Sequence, residues 1–455
     1  MRYFLVQAIY NLLLPLVLLA GLPRFLIKGV QRGGLALNFG QRLGFYRAEL
    51  REKLLARDDH HWIHAVSVGE VLVAVKIIRA LRERSPDISI VLSTTTATGY
   101  RIACAEAGGD TIVIHNPVDL PFVVGRAIRL IRPVRLVLVE AEVWPNLVRR
   151  AHRAGALVIL ANARLSSRSE CRFRRFCWFT EPVFRQLDRV CVTFDVDVPR
   201  WENLGVPRHR IVRTGSVKFD EDEAARPEEK IAELRDWLAG HGVTAERPLL
   251  LAAATHSGEE ALIGRAYREL LTDFPALAYV AVPRHAERAR SVAAQLAEAG
   301  LRPVFRVPVP GLDEEGGNTP GEGKDPPTCL VANTTGELRA WNHLASVVVI
   351  GKSLLGRGGQ NPVEAVVAGR PVVTGPNMGN FDAIMASLVR NHGVFQLGSA
   401  DELTESLRQL FAKPAEGEIA AKRGRAAIAS HRGSAARTAE AILDTRRWES
   451  PQNEA

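Results

Sequence analysis

Four stretches of the chain hold side chains whose types and spacing could do chemistry. Ser67-Val68-Gly69-Glu70 sets a carboxylate three residues after a hydroxyl. That is the spacing of a helix capping box, in which the acid reaches back to the backbone at the start of the helix. A carboxylate at the end of a strand can also take a proton from a hydroxyl. The two uses compete for Glu70, and local sequence alone favours the cap. Glu140-Ala141-Glu142-Val143-Trp144-Pro145-Asn146 places two acids on one side of an extended segment. Glu142 also reads as a charge favoured by the N-terminus of the helix that follows. Arg284 and His285 come directly after an apolar run and suit a phosphate or carboxylate, or else lie in a solvated loop. In Gly356-Arg357-Gly358-Gly359-Gln360-Asn361-Pro362-Val363-Glu364, the glycines let backbone approach a ligand closely. Asn361 then caps a helix with Pro362 at its first position, and the N–H groups there offer an anion site. Glu364 either completes a capping box or grips ribose hydroxyls.

Composition narrows the partners. The chain has 455 residues, enough for two domains, and 47% hydrophobic with 24% charged residues is a globular balance. Five scattered cysteines without CxxC spacing argue against a disulfide framework and against a zinc site, so no metal is expected. A formal charge of +9 favours an anionic partner. No nucleic-acid motif accompanies it, which leaves a phospholipid surface or an acidic substrate.

The elements that must position these residues follow from hydrophobic patterning. Short β-branched runs at 62–66, 88–92, 111–115, 136–140, 157–161, 190–194 and 211–214 alternate with helical stretches such as 71–84 and 144–154. Alternation of this kind predicts a parallel sheet covered on both faces. The pattern resumes with runs at 248–254, 278–282, 303–307, 328–331, 347–350 and 371–374, and residues 420–447 read as a long helical stretch. The chain therefore divides into an N-terminal anchor at 1–32, a first Rossmann-like domain at 33–225 and a linker at 226–245. A second Rossmann-like domain at 246–430 and a C-terminal helix and tail at 431–455 complete it. A Gly/Pro/acid-rich stretch at 311–327 reads as a surface insertion. Neither half has a GxGxxG after its first strand or a GxxxxGK[ST], so the usual dinucleotide and NTPase readings lose support. Two doubly wound domains facing a cleft suggest the GT-B glycosyltransferase architecture by analogy of fold. Residues 3–22 are almost wholly apolar and are followed by Arg24, Lys28 and Arg32. This predicts a single N-terminal anchor, spanning or lying on the membrane, with the catalytic domains on the cytoplasmic side of the inner membrane. Arg164, Arg168, Arg172, Arg174 and Arg175, with Phe173, Phe176, Trp178 and Phe179, form a basic, aromatic belt suited to lipid head groups, or else a solvated amphipathic helix.

Read together, these stretches resemble the 3-deoxy-D-manno-octulosonic acid (Kdo) transferases of lipopolysaccharide biosynthesis. The matching residues run in order through Trp62–Glu70, Glu140–Asn146, Asn162-Ala163-Arg164-Leu165-Ser166 and Thr214-Gly215-Ser216-Val217-Lys218-Phe219-Asp220. They continue through Thr255–Glu259, Val282–His285, Thr335-Gly336-Glu337-Leu338 and Gly358–Glu364. The resemblance implies transfer of Kdo from CMP-Kdo to a lipid A precursor. It makes Glu70 the proton acceptor and Glu140 and Lys218 stabilisers of the transition state. It assigns CMP binding to Arg284, His285, Thr335, Gly336, Glu337, Gly358, Gly359, Asn361 and Glu364. No cofactor is implied, and the absence of a clustered Asp motif agrees with metal-free chemistry. The chain departs from the family pattern at Ala141, usually Thr; at Gln360, commonly His; and at Lys352, frequently Gly. Two rivals are a GT-B transferase using a UDP-sugar and a non-catalytic protein that binds anionic lipid.

Overall fold

The computed structural model describes residues 2–31, 38–165, 167–220, 227–310, 312 and 326–447. They form two compact units, Met1–Glu221 with His431–Ala455, and Asp222–Ser430. The first holds strands β1 (His60–Ala65), β2 (Ile90–Thr94), β3 (Ile112–His115), β4 (Pro133–Val139), β5 (Leu157–Ala163), β6 (Arg189–Val192) and β7 (Ile211–Arg213). Their order is β3-β2-β1-β4-β5-β6-β7, all parallel. Period-two alternation divides the core between the two faces of this sheet. Trp62, Leu136 and Leu138 pack on one side with Leu147 and Val148. Ile63, Val137 and Val139 pack on the other with Val71, Ala74 and Ile78 of the helix Val68–Arg84. Burial on both faces is why these strands read as near-continuous apolar runs.

The second unit repeats the plan with β8 (Leu249–Thr255), β9 (Ala278–Pro283), β10 (Arg302–Phe305), β11 (Thr328–Val331), β12 (Val347–Ile350), β13 (Val372–Thr374) and β14 (Phe395–Gln396). Their order is β10-β11-β9-β8-β12-β13-β14, again parallel. The two doubly wound sheets of seven strands bear out the expected fold class, and the thirteen expected strands are all present. Only β14, an edge strand of two residues, is too short to show a period in sequence.

Three expectations change. The proposed linker at 226–245 contains the helix Glu228–Gly240, which buries Ile231, Leu234 and Leu238 in the second unit. Trp237 packs edge-on to Trp341 at 5.9 Å. The charged outer face of this helix hides its apolar stripe from a reading by composition. The stretch 420–447 is two helices, Pro414–Ala429 and Ser434–Asp444, broken at Gly433 with φ 70. The second buries Ala439 and Ile442 against the first unit's core.

The third change concerns the N-terminus. Among the described residues no helix is long and apolar enough to cross a membrane, so the expected spanning anchor is not supported. The helix Arg2–Gln31 instead lays Gln7, Tyr10 and Asn11 against the first unit, where all three are hydrogen-bonded. Its opposite face exposes Leu5, Leu12, Leu16 and Leu19, which recur at helical spacing. Polar residues that looked like minor interruptions of a span are its docking face. The acidic stretch at 311–327 lies almost entirely outside the described residues.

Candidate active site

In the first sheet β1 and β4 are neighbours although sequence separates them, so the chain leaves them towards opposite faces. Ligands of open parallel sheets bind beyond the strand ends at this kind of switch point. Glu70 and the pair Glu140 and Glu142 lie on the two segments that leave it. Ser67 is the N-cap of the helix Val68–Arg84. The Glu70 N–H donates to the Ser67 hydroxyl at 3.4 Å, so the cap expected from spacing is formed, and the Glu70 carboxylate accepts from the Val66 N–H at 2.8 Å and from the Ser67 hydroxyl at 2.7 Å. Yet Glu70 is 8% exposed, and burial pushes its carboxyl above the ordinary range. The Val66 and Ser67 bonds oppose that shift and the charge of Glu140 adds to it. Capping and a strengthened base thus coexist in one side chain.

Glu140 leaves β4 with a left-handed φ of 63 and donates its N–H to the Ala161 carbonyl at 2.9 Å. This turn ends the strand and directs the following acids away from the sheet. Glu142 is raised by burial, then by the charges of Glu70 and Glu140, so the three carboxylates share one electrostatic neighbourhood. Lys218 pairs with Glu140 at 2.5 Å and supplies a cation to that cluster.

The turn Val217–Phe219, which carries Lys218, has no side-chain cap of its own and is fixed from three directions. Asn162, itself at φ 52 near the end of β5, accepts from the Val217 N–H at 3.0 Å. Lys76 of the Glu70 helix donates to the carbonyls of Val217 at 3.3 Å and Asp220 at 2.7 Å. Asp220 in turn accepts from Gly433 N–H at 2.7 Å and Ala435 N–H at 2.6 Å, capping the helix Ser434–Asp444. Gly215 is at φ 88, where a Cβ would overlap the Ser434 hydroxyl. The motif from Thr214 to Asp220 is therefore largely scaffold, with Lys218 as its exposed product. Lys76 was missed in sequence because a lysine in a helix carries no sign of what it reaches.

In the second unit the switch point lies between β8 and β12. Glu259, fully buried, accepts from the N–H groups of His256 at 3.0 Å, Lys352 at 2.6 Å and Leu354 at 3.1 Å, tying the two strand-end loops together. Lys352 sits at φ 57, the physical reason a glycine suits that position. Gly358 and Gly359 have φ 100 and 70, and a Cβ on Gly359 would overlap the Met378 sulfur. Asn361 accepts from the Val363 N–H at 3.1 Å just before the helix Val363–Val367, and Glu364 lies in its first turn. Arg284 and His285 are exposed beyond β9, with His285 edge-on to His256 at 6.2 Å. Thr335 and Gly336 are exposed after β11. The Glu337 carboxylate, in contrast, is held by Arg306 at 3.0 Å, Lys230 at 3.5 Å and the Thr334 hydroxyl at 2.5 Å. The predicted set thus falls into two groups, Glu70, Glu140 and Lys218 on the first unit and the rest on the second. Among the described residues no three His, Cys, Asp or Glu side chains are arranged to hold a metal ion.

Known proteins bear directly on this arrangement. The sequence pattern of the family described as 3-deoxy-D-manno-octulosonic-acid transferase (kdotransferase) matches residues 37–221. The 3-deoxy-D-manno-octulosonic acid transferase of Haemophilus influenzae is 31% identical over 378 residues, covering 82% of this chain and 84% of the relative. That of Bordetella pertussis is 33% identical over 394 residues, covering 84% and 86%. The chain belongs to the 3-deoxy-D-manno-octulosonic acid transferase family. It is a glycosyltransferase that transfers Kdo.

Solved structures agree on the fold of this Kdo transferase. UDP-GlcNAc 2-epimerase from Neisseria meningitidis matches with a TM-score of 0.57 at 12% identity, over 85% of this chain and 99% of that one. A glycosyltransferase from Rickettsia africae ESF-5 matches with a TM-score of 0.54 at 13% identity, over 85% and 100%. At such identities the likeness is one of fold, the GT-B architecture.

Proposed function

We propose that the chain moves Kdo from CMP-Kdo to a glucosamine hydroxyl of a lipid A precursor, lipid IVA, with inversion at the anomeric carbon. The observation that carries this reading is the pairing of a buried, electrostatically strengthened carboxylate, Glu70, with the Glu140–Lys218 ion pair at one switch point. In the step itself the acceptor hydroxyl gives its proton to Glu70 as its oxygen bonds the anomeric carbon. The bond from that carbon to the CMP phosphate breaks on the opposite side, and the phosphate keeps the electron pair. The ring passes through an oxocarbenium-like state, whose positive charge Glu140 offsets while Lys218 balances the departing phosphate or the sugar's own carboxylate. A carboxylate raised above its usual range is a better base for this work.

The second unit is assigned to CMP. Arg284 and His285 suit the phosphate, and the backbone of Gly358 and Gly359 can approach the nucleotide closely. Asn361 and Glu364 stand at the start of the adjoining helix. Thr335 and Gly336 contribute from an exposed turn, and Glu337 fixes that turn through Arg306. The reading includes no metal.

The acceptor is a lipid, and the inverted amphipathicity of the N-terminal helix fits a phospholipid surface. Its polar side chains face protein while Leu5, Leu12, Leu16 and Leu19 face outward at 60–74% exposure. Tyr10 of this helix lies 6.2 Å from Phe179, next to the exposed Phe176 and Trp178 of the basic belt. A helix of this kind lies in the head-group zone without crossing it. On this reading the protein works at the cytoplasmic face of the inner membrane, and the exposed leucines of that helix support it.

The test is incubation of the purified full chain with tetra-acylated lipid A precursor and either CMP-Kdo or UDP-sugars, read by mass spectrometry. Mass increments of Kdo from CMP-Kdo are expected, and their number counts the sugars added. Transfer from UDP donors alone would overturn the assignment.

A further inference from the structure

The loop that carries Glu140 and Glu142 is only a few residues long and hangs between two fixed points. One is the end of β4, where the Glu140 N–H meets the Ala161 carbonyl. The other is the N-terminus of the helix Pro145–Arg153. That helix lacks a cap of its own, since its N-cap residue, Trp144, makes no side-chain cap bond. The first N–H groups of a helix must find partners elsewhere. They find one in Asp119, which precedes the helix Pro121–Ile131 and is 6% exposed. Its carboxylate accepts from the N–H of Asn146 at 2.9 Å and of Leu147 at 2.8 Å.

The same junction holds the N-terminal helix. Tyr10 donates its hydroxyl to Asp119 at 2.9 Å. The Asn146 amide, 2% exposed, donates to the Asp119 carbonyl and to the Asn11 side-chain oxygen, the latter at 2.7 Å. It also accepts from the amide of Gln7, which is itself buried. Gln7, Tyr10 and Asn11 are spaced to share one helix face. Simple attachment of a surface helix needs only apolar contact, and buried polar groups cost stability unless each is matched. Interlocking hydrogen bonds of this kind, here from Gln7, Tyr10 and Asn11, favour one rotation and one axial register, which apolar packing does not enforce.

We propose that the Gln7–Tyr10–Asn11 face of the N-terminal helix is a positioning element for the Glu140–Glu142 loop, acting through Asn146 and Asp119. The helix that meets the lipid surface then also sets where the two acids stand. This rests on the reading that Glu70 and Glu140 carry the reaction. None of the five residues is assigned contact with substrate. They act through the loop.

The experiment uses the full chain carrying Gln7→Leu with Asn11→Leu, which removes the polar bonds while leaving the helix more apolar. Tyr10→Phe is measured alongside as a milder change that deletes only the bond to Asp119. Read-outs are kcat, KM for CMP-Kdo, thermal midpoint and co-flotation with phosphatidylglycerol/phosphatidylethanolamine vesicles. The expected result is a kcat lowered about 10- to 100-fold in the double variant, as for small misplacements of reacting groups, and several-fold in Tyr10→Phe. KM for CMP-Kdo stays within about twofold and vesicle binding is retained, because neither the nucleotide site nor the apolar face is touched. Wild-type kcat in both variants would overturn the proposal. So would a loss in which KM or vesicle binding changes in proportion to rate, since that is the mark of a helix serving only attachment or folding. Glu70→Gln is run in parallel: a fully active Glu70→Gln removes the site reading itself, whereas fully active helix variants beside an inactive Glu70→Gln overturn only the coupling.

Discussion

Glu70 occupies both of its oxygens with local donors and still has a carboxyl pushed upward by burial and by Glu140. The sign of its pH behaviour follows. A general base acts in its charged form, so activity falls as pH drops through the raised pKa, and the acidic limb of the kcat/KM profile lies above the usual carboxylate range. The Ser67 hydroxyl favours the charged form, and removing it raises Glu70 further. Ser67→Ala is therefore expected to move the acidic limb to higher pH, and Glu70→Gln to abolish that limb with a loss of roughly 10²- to 10⁴-fold in kcat. A pH–rate series on the three proteins checks this. A limb that stays in place in Ser67→Ala would mean that another group is being titrated. The spacing of Ser67 and Glu70 disclosed the cap, but the burial that raises the Glu70 carboxyl is a property of the folded unit.

At the scale of elements, the recurring device is a short active segment held by side chains from elsewhere in its unit. Val217–Phe219 is held by Asn162, Lys76 and, through Asp220, the C-terminal helix. The loop between β8 and its helix is held to the loop after β12 by Glu259. Asn162→Gly offers a clean test, because glycine accepts the left-handed backbone at φ 52 and removes only the bond to Val217. The expected outcome is a fall of about tenfold in kcat as Lys218 loses its setting, with CMP binding by calorimetry unchanged. An unchanged kcat would show that Lys76 and Asp220 suffice to hold the turn. Asn162 and Asp220 stood in motifs visible in sequence, but their partners come from β-strand ends and helices far along the chain, which spacing cannot reveal.

For the whole molecule, the proposed membrane attachment runs through a helix that is apolar outward and polar inward. Replacing Leu12 and Leu16 by Ser removes two exposed leucines without touching the Gln7–Asn11 face. Each leucine buried in lipid contributes about 1.5–3 kcal/mol, so vesicle partitioning of the double variant is expected to drop at least about tenfold. Co-flotation with vesicles measures it, and unchanged partitioning would assign attachment to the basic belt instead. Sequence alone determined the two doubly wound units and the family, and it named the candidate site residues. Those depend on local periodicity, on strand-end position and on ordered motifs, all of which are written along the chain. The tertiary structure alone decided that Gln7 and Asn11 form a docking face and not flaws in a span, and that Glu337 is bound up with Arg306. It also decided that the Pro145 helix borrows its cap from Asp119. Each of these depends on which side chains meet across tens or hundreds of residues, where burial and hydrogen-bond matching are settled only when the sheets are assembled.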